Sequence, residues 1–173
     1  EQYGAVHRAA LVRMSRERGL ALASHDDATH AHVAESLACG MTIAEFPTTP
    51  DAAKASHDGG MAVLMGAPNL VLGGSHSGNV AAIDLARAGH VDVLSSDYVP
   101  ASLLRGVFQL AEAGIGIDLA AAVAKASRNP ARAAGLADRG ELSPGQRADF
   151  LRVRVAGGTP HIREVWRQGA RIA

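Results

Sequence analysis

Histidines and carboxylates recur in this 173-residue chain just past short apolar runs, an arrangement from which a metal-assisted hydrolytic site can be built. His25-Asp26-Asp27 follows Leu20–Ser24, Glu45 stands near the end of Thr42–Phe46, Ser75-His76-Ser77 lies beyond Met61–Met65, and Asp97 follows Val91–Ser95. Imidazole and carboxylate arriving from separate chain segments can converge on one divalent cation, and that donor chemistry suits zinc, manganese or iron. His25 and Asp97 are the leading ligand candidates, with Asp97 also placed to act as a base. Glu45 joins them because a carboxylate so close to an apolar run needs a metal or a hydrogen bond. Plainer roles stay open: His25 as a cap of the next turn, Asp97 as a helix N-cap, and Asp26 and Asp27 as helix-entry carboxylates. His7, His57, His90 and His161 read as solvated surface, and His30 and His32 stand at one remove from any site.

The stretch Gly73-Gly74-Ser75-His76-Ser77-Gly78-Asn79 offers a second kind of chemistry. Glycines let backbone N–H groups turn toward one point, small hydroxyls add donors, and a following helix presents its positive end, so Gly74, Ser75, His76, Ser77, Gly78 and Asn79 are candidates to hold phosphate oxygens. The stretch lacks the Gly-Lys-Ser/Thr ending of nucleotide P-loops, and a long surface loop with glycine turns is the alternative.

These residues need elements to position them. Residues 4–18 carry apolar positions at helical spacing and stop at Gly19; a short buried strand follows at Leu20–Ser24. The unit then repeats: a helix near 31–39, a strand at Thr42–Phe46, a helix opened by Thr49-Pro50, a strand at Met61–Met65, a helix from about 79 to 88, and a strand at Val91–Ser95. Continuously apolar strands alternating with helices imply a parallel sheet, hence an α/β fold. Residues 101–136 read as helical, with Asn129-Pro130 opening a last short helix, whereas Arg147–Val155 and Ile162–Ile172 alternate as strands of another kind. Four parallel strands fit either an open doubly wound sheet or half of a (β/α)8 barrel, whose full form takes roughly 250 residues. The expectation is the C-terminal half of such a barrel over 1–140 and a small β appendage over 141–173, with further strands upstream of Glu1. Half a barrel would leave Leu20–Ser24 and Val91–Ser95 as outer strands, with apolar side chains facing water or a partner chain.

Composition narrows the partners. Lys plus Arg and Asp plus Glu balance at 17 each, so no charge excess favours nucleic acid or an anionic membrane. No apolar run reaches the roughly 20 residues of a membrane span. The single cysteine, Cys39, forms no internal disulfide, in keeping with a reducing cytoplasm and with a small side chain packed on a helix.

The blocks SHDDATHAHVAESLACGMTIAEFPTTPDAA, MGAPNLVLGGSHSGNVAAIDLARAGHVDVLSSDYVPASLL and NPARAAGLADRGELSPGQRADFLRV, with VWRQGARI after them, resemble the phosphonate-metabolism diphosphatases of the amidohydrolase superfamily. The resemblance runs from Ser24 nearly to the end. It implies a metal-dependent hydrolase that releases pyrophosphate from α-D-ribose 1-methylphosphonate 5-triphosphate, a phosphorylated sugar phosphonate. It also implies that His25 is a metal ligand from the fifth barrel strand. Asp97, from the eighth strand, would bind metal and take a proton from the attacking water. Glu45 stands where the superfamily usually has a histidine, so a usual two-metal centre is not implied. The remaining ligands are expected upstream, and zinc is the expected metal. His76 is expected to donate to the leaving pyrophosphate, and the chain to be a homo-oligomer or to need its missing half. An amidohydrolase cleaving a C–N bond and a non-catalytic phosphate-binding module are the alternatives.

Overall fold

The computed structural model describes every residue of the chain except 1, 2 and 76. Helix α1 (Gly4–Arg18) ends at Gly19, whose left-handed φ of 61° lets its N–H reach the Ser15 and Arg16 carbonyls. Three strand–helix units come next. They are β1 (Ala23–His25) with α2 (His30–Ala38), β2 (Ile43–Glu45) with α3 (Pro50–Asp58), and β3 (Ala62–Gly66) with α4 (Ala67–Leu72). Thr29 and Thr49 cap α2 and α3 by accepting from the His32 and Ala52 amides, and Pro50 sits in the first turn of α3, where its missing N–H costs nothing. Then come α5 (Ala82–Arg87), β4 (Val93–Ser95), α6 (Ser102–Glu112), α7 (Leu119–Ala126) and α8 (Arg128–Ala133). Asp118 caps α7, accepting from Ala121 N at 2.7 Å.

The four strands pair in parallel in the consecutive order β1-β2-β3-β4, without the reversal of a doubly wound sheet. Alternate strand residues face opposite ways. Ser24, Ala44, Val63, Met65 and Leu94 form one face, all buried; the last four join the core with Val33, Ala52, Ala53, Leu85, Val107 and Leu110 from the helices. On the other face Ala23 and His25 are exposed and Ile43, Glu45, Ala62 and Leu64 only half-buried. One side of the sheet is therefore sealed by helices, and the other stays open near β1 and β2.

Several boundaries differ from the sequence expectation. β1 starts late because Leu20 donates its N–H to Ser15 O, completing the helix end instead of joining the ladder. The long segment after β3 contains α4, signalled by Pro68 in its first turn and the stop at Gly73, φ 78°. Residues 101–136 hold three helices: left-handed Gly114 and Gly116 lie between α6 and α7, and Ser127, off helical geometry, divides α7 from α8. At the β4 edge the apolar side chains do not face water. Val91, Val93 and Leu94 are buried, and Lys125 and Asn129 donate to the Val91 and Asp92 carbonyls at 2.5 and 2.8 Å. Burial holds the Lys125 pKa below its usual value, partly offset by Asp92. His57 is half-buried, not solvated: its Nδ1 lies 3.2 Å from Asp92 Oδ2, which also accepts from Val63 N, and its ring contacts His90.

The C-terminal segment is an antiparallel sheet of β5 (Phe150–Ala156), β6 (Thr159–Arg167) and β7 (Ala170–Arg171). Gly157-Gly158 and Gln168-Gly169, all with positive φ, make its two-residue turns. No helix among the described residues is long and apolar enough to cross a membrane.

Candidate active site at the carboxyl ends of the strands

Parallel pairing aligns His25 with Glu45 in the register of β1 and β2, so both side chains rise from the open face. His25 Nδ1 lies 2.9 Å from Glu45 Oε2, and its Nε2 lies 3.5 Å from Asp26 Oδ2. Phe46 meets the imidazole edge-on, with ring centres 5.6 Å apart. Asp97 follows β4, its amide donating to Ser95 Oγ at 3.1 Å. Its Oδ2 reaches over the end of β3, where a β-carbon on Gly66 would lie 3.5 Å away.

Asp26, Phe46 and Asp97 all take left-handed backbone, with φ of 58°, 55° and 49°. A β-carbon costs roughly 1–2 kcal/mol in that region, and asparagine and aspartate bear it best, so Phe46 is the conspicuous case. Such conformations persist where surrounding contacts fix them, and they concentrate at functional sites. Here the contacts are backbone bonds between successive strand-end loops. Asp26 N donates to Glu45 O, Phe46 N to Leu64 O, Thr48 N to Asp27 O and Val80 N to Thr48 O. The Asp27 side chain is buried and accepts from Ser36 Oγ at 3.1 Å, which makes it structural, the helix-entry role open to it from sequence.

A cavity of about 350 Å³ opens over these ends. It is lined by His25, Asp26 and Asp97, and by Gly74, Ser75, Ser77 and Asn79 from the glycine loop. Glu45 lies behind the imidazole and Gly78 outside the lining, while His76 falls outside the described residues. The structure thus brings two of the three candidate ligands and four of the six candidate phosphate contacts to one cavity. Among the described residues, no three His, Cys, Asp or Glu gather as a ready cation site.

The glycine loop is built differently from a cradle of free backbone donors. Gly73 N donates to Leu70 O, Gly74 N to Asn69 O, Ser77 N to Ser75 Oγ and Gly78 N to Ser75 O. The start of α5 is also engaged, since Ala82 N donates to Asn69 Oδ1 at 2.9 Å. Asn69 Nδ2 in turn donates to Val80 O at 3.2 Å, so one residue clamps both ends of the loop. What the loop offers the cavity is therefore mainly side-chain chemistry, from Ser75, Ser77 and Asn79. Sequence reasoning missed Asn69 and Gly66. The first carried a local signal, a polar residue in the opening turn of a short helix just after proline; the second matters only through neighbours from other strands.

An amidohydrolase family model matches residues 4–172. The chain is 54% identical over 167 residues to the alpha-D-ribose 1-methylphosphonate 5-triphosphate diphosphatase of Escherichia coli strain K12, a match covering 96% of this chain and 44% of that protein. It is 38% identical over 74 residues to the imidazolonepropionase of Deinococcus deserti, covering 38% of this chain and 18% of that protein. A solved structure of an uncharacterised protein superposes with a TM-score of 0.67 at 17% identity, over 95% of this chain and 48% of that one, a likeness of fold alone. The chain spans less than half the length of the relatives it matches.

Proposed function

Since the chain belongs to the amidohydrolase family, we propose that it forms the C-terminal half of a (β/α)8 barrel hydrolase that releases pyrophosphate from α-D-ribose 1-methylphosphonate 5-triphosphate. One observation carries this reading: His25 and Asp97, with Ser75, Ser77 and Asn79 of the glycine loop, line a single cavity at the carboxyl ends of consecutive parallel strands, the face where barrel enzymes hold their sites. The name of the Escherichia coli relative supplies the substrate. The sheet supports the half-barrel, because helices seal one face, and the face bearing His25 and Glu45, open near β1 and β2, is the one a barrel turns inward.

The donors fit a divalent cation in part. An imidazole nitrogen and the carboxylates of Asp26 and Asp97 line the cavity, while stable zinc sites take three or four ligands, so upstream strands complete the set. When bound, the cation supplies charge that acidifies a neighbouring water and offsets charge on the attacked phosphoryl group. Asp97, exposed at the end of β4, accepts the proton of the attacking water. Ser75, Ser77 and Asn79 donate to phosphate oxygens, and His76 in the same loop donates to the leaving pyrophosphate. Unpaired Cys39 and a phosphorylated substrate favour the cytoplasm.

Phosphorus NMR on the complete reading frame holding this chain tests the proposal. Pyrophosphate should appear from the triphosphate in a cation-dependent way, and Asp97→Asn should abolish it. Turnover of amide or cyclic-amide substrates with no pyrophosphate release would favour C–N hydrolysis instead. Phosphate binding without either turnover would favour a non-catalytic module.

A further inference from the structure

We propose that Glu45 is a positioning residue, which holds His25 in the tautomer that presents its Nε2 lone pair to the cavity, and not itself a ligand. This rests on the cation-site reading of the same cavity. The register places the two side chains side by side on one face, with 2.9 Å between Nδ1 and Oε2. A carboxylate only accepts, so the proton of that bond sits on Nδ1, and in the neutral ring that the proposal assigns, the other nitrogen keeps its lone pair.

Two further observations assign the direction. His25 and Asp26 line the cavity, whereas Glu45 does not, so Glu45 reaches the site only through the imidazole. Nε2 also stands 3.5 Å from Asp26 Oδ2. With the proton on Nδ1, two electron-rich atoms face each other there, an arrangement that a cation between them relieves. The edge-on ring of Phe46, on left-handed backbone directly after Glu45, holds the imidazole plane from a third side. Carboxylate behind histidine is how metal-ligating imidazoles are commonly oriented, and removing such a partner typically costs ten- to a hundredfold in metal affinity.

The test uses the complete protein labelled with nitrogen-15 at histidine, first without cation. The His25 resonances should report Nδ1–H in the parent and a tautomer mixture in Glu45→Ala. Zinc titration by calorimetry should then show a loss of about ten- to a hundredfold for Glu45→Ala. Glu45→Gln, whose amide oxygen still accepts from Nδ1–H, should stay within a few-fold of the parent. Should Glu45→Ala fail to fold, the glutamine variant decides, because a direct ligand role predicts that it loses zinc severely. An Nε2–H tautomer or a doubly protonated ring in the parent overturns the proposal, as does an unchanged tautomer in Glu45→Ala. If no form binds a divalent cation while the tautomer contrast holds, the cation reading fails and the positioning of His25 by Glu45 stands.

Discussion

Replacing Asn69 by alanine removes the clamp on the glycine loop while leaving both of its backbone partners in place. The lost bonds are Nδ2 to Val80 O at 3.2 Å and Ala82 N to Oδ1 at 2.9 Å. Each neutral bond contributes about 1 kcal/mol net, and an amide left buried without a partner costs about 1–3 kcal/mol. Ala82 is fully buried, so the larger penalty applies to its N–H. Against this, alanine is the better helix former in α4, by about 0.5 kcal/mol. The net expectation is a destabilisation of about 1.5–3.5 kcal/mol, a large share of the roughly 5–15 kcal/mol of a typical domain. Equilibrium urea unfolding reads it directly, and limited proteolysis should find new cleavage between residues 73 and 81. Asn69→Asp keeps the acceptor for Ala82 N but sets a carboxylate against the Val80 carbonyl, so it should fall between parent and alanine. An Asn69→Ala protein within about 0.5 kcal/mol of the parent would refute the clamp.

Two further perturbations lie away from the cavity. Gln168 takes φ 51° in the two-residue turn before β7, where asparagine is favoured. Gln168→Asn should therefore raise stability by about 0.5–1 kcal/mol in thermal or urea unfolding, part of the roughly 1–2 kcal/mol a β-carbon costs there. Lys125 is held below its usual pKa chiefly by burial. The unfolded chain then binds more protons between the lowered value and 10.5, so stability should rise with pH across that window. Lys125→Met should flatten this rise in urea midpoints taken through the alkaline range; an unchanged slope would show that Lys125 does not cause it.

Much of the strand–helix alternation is legible in the sequence because local chemistry marks it. Thr49-Pro50 and Gly19 act within a few residues of themselves, and β1 to β4 are recognisable as short apolar runs. The carboxyl-end placement of His25 and Asp97 follows from that alternation. What stays hidden depends on distant partners. Phe46 gives no sequence sign of its left-handed backbone, which is fixed by Leu64 and by the loops around it. The covering of the β4 edge comes from Lys125 and Asn129, more than 30 residues further on. His57 reads as a surface histidine until Asp92 is brought beside it. The glycine loop shows the same limit: its composition matches an anion cradle, yet the Gly73, Gly74, Ser77 and Gly78 amides bond within the segment and Asn69 takes the amide of Ala82 at the start of α5.

Calorimetric titration of zinc into the complete protein tests most directly whether His25 and Asp97 hold one cation. The parent should bind, and His25→Ala and Asp97→Ala should each weaken binding by more than the roughly ten- to hundredfold that loss of a supporting partner costs. If Asp97→Ala binds zinc as tightly as the parent, the two residues do not share a cation, and the site is assigned wrongly.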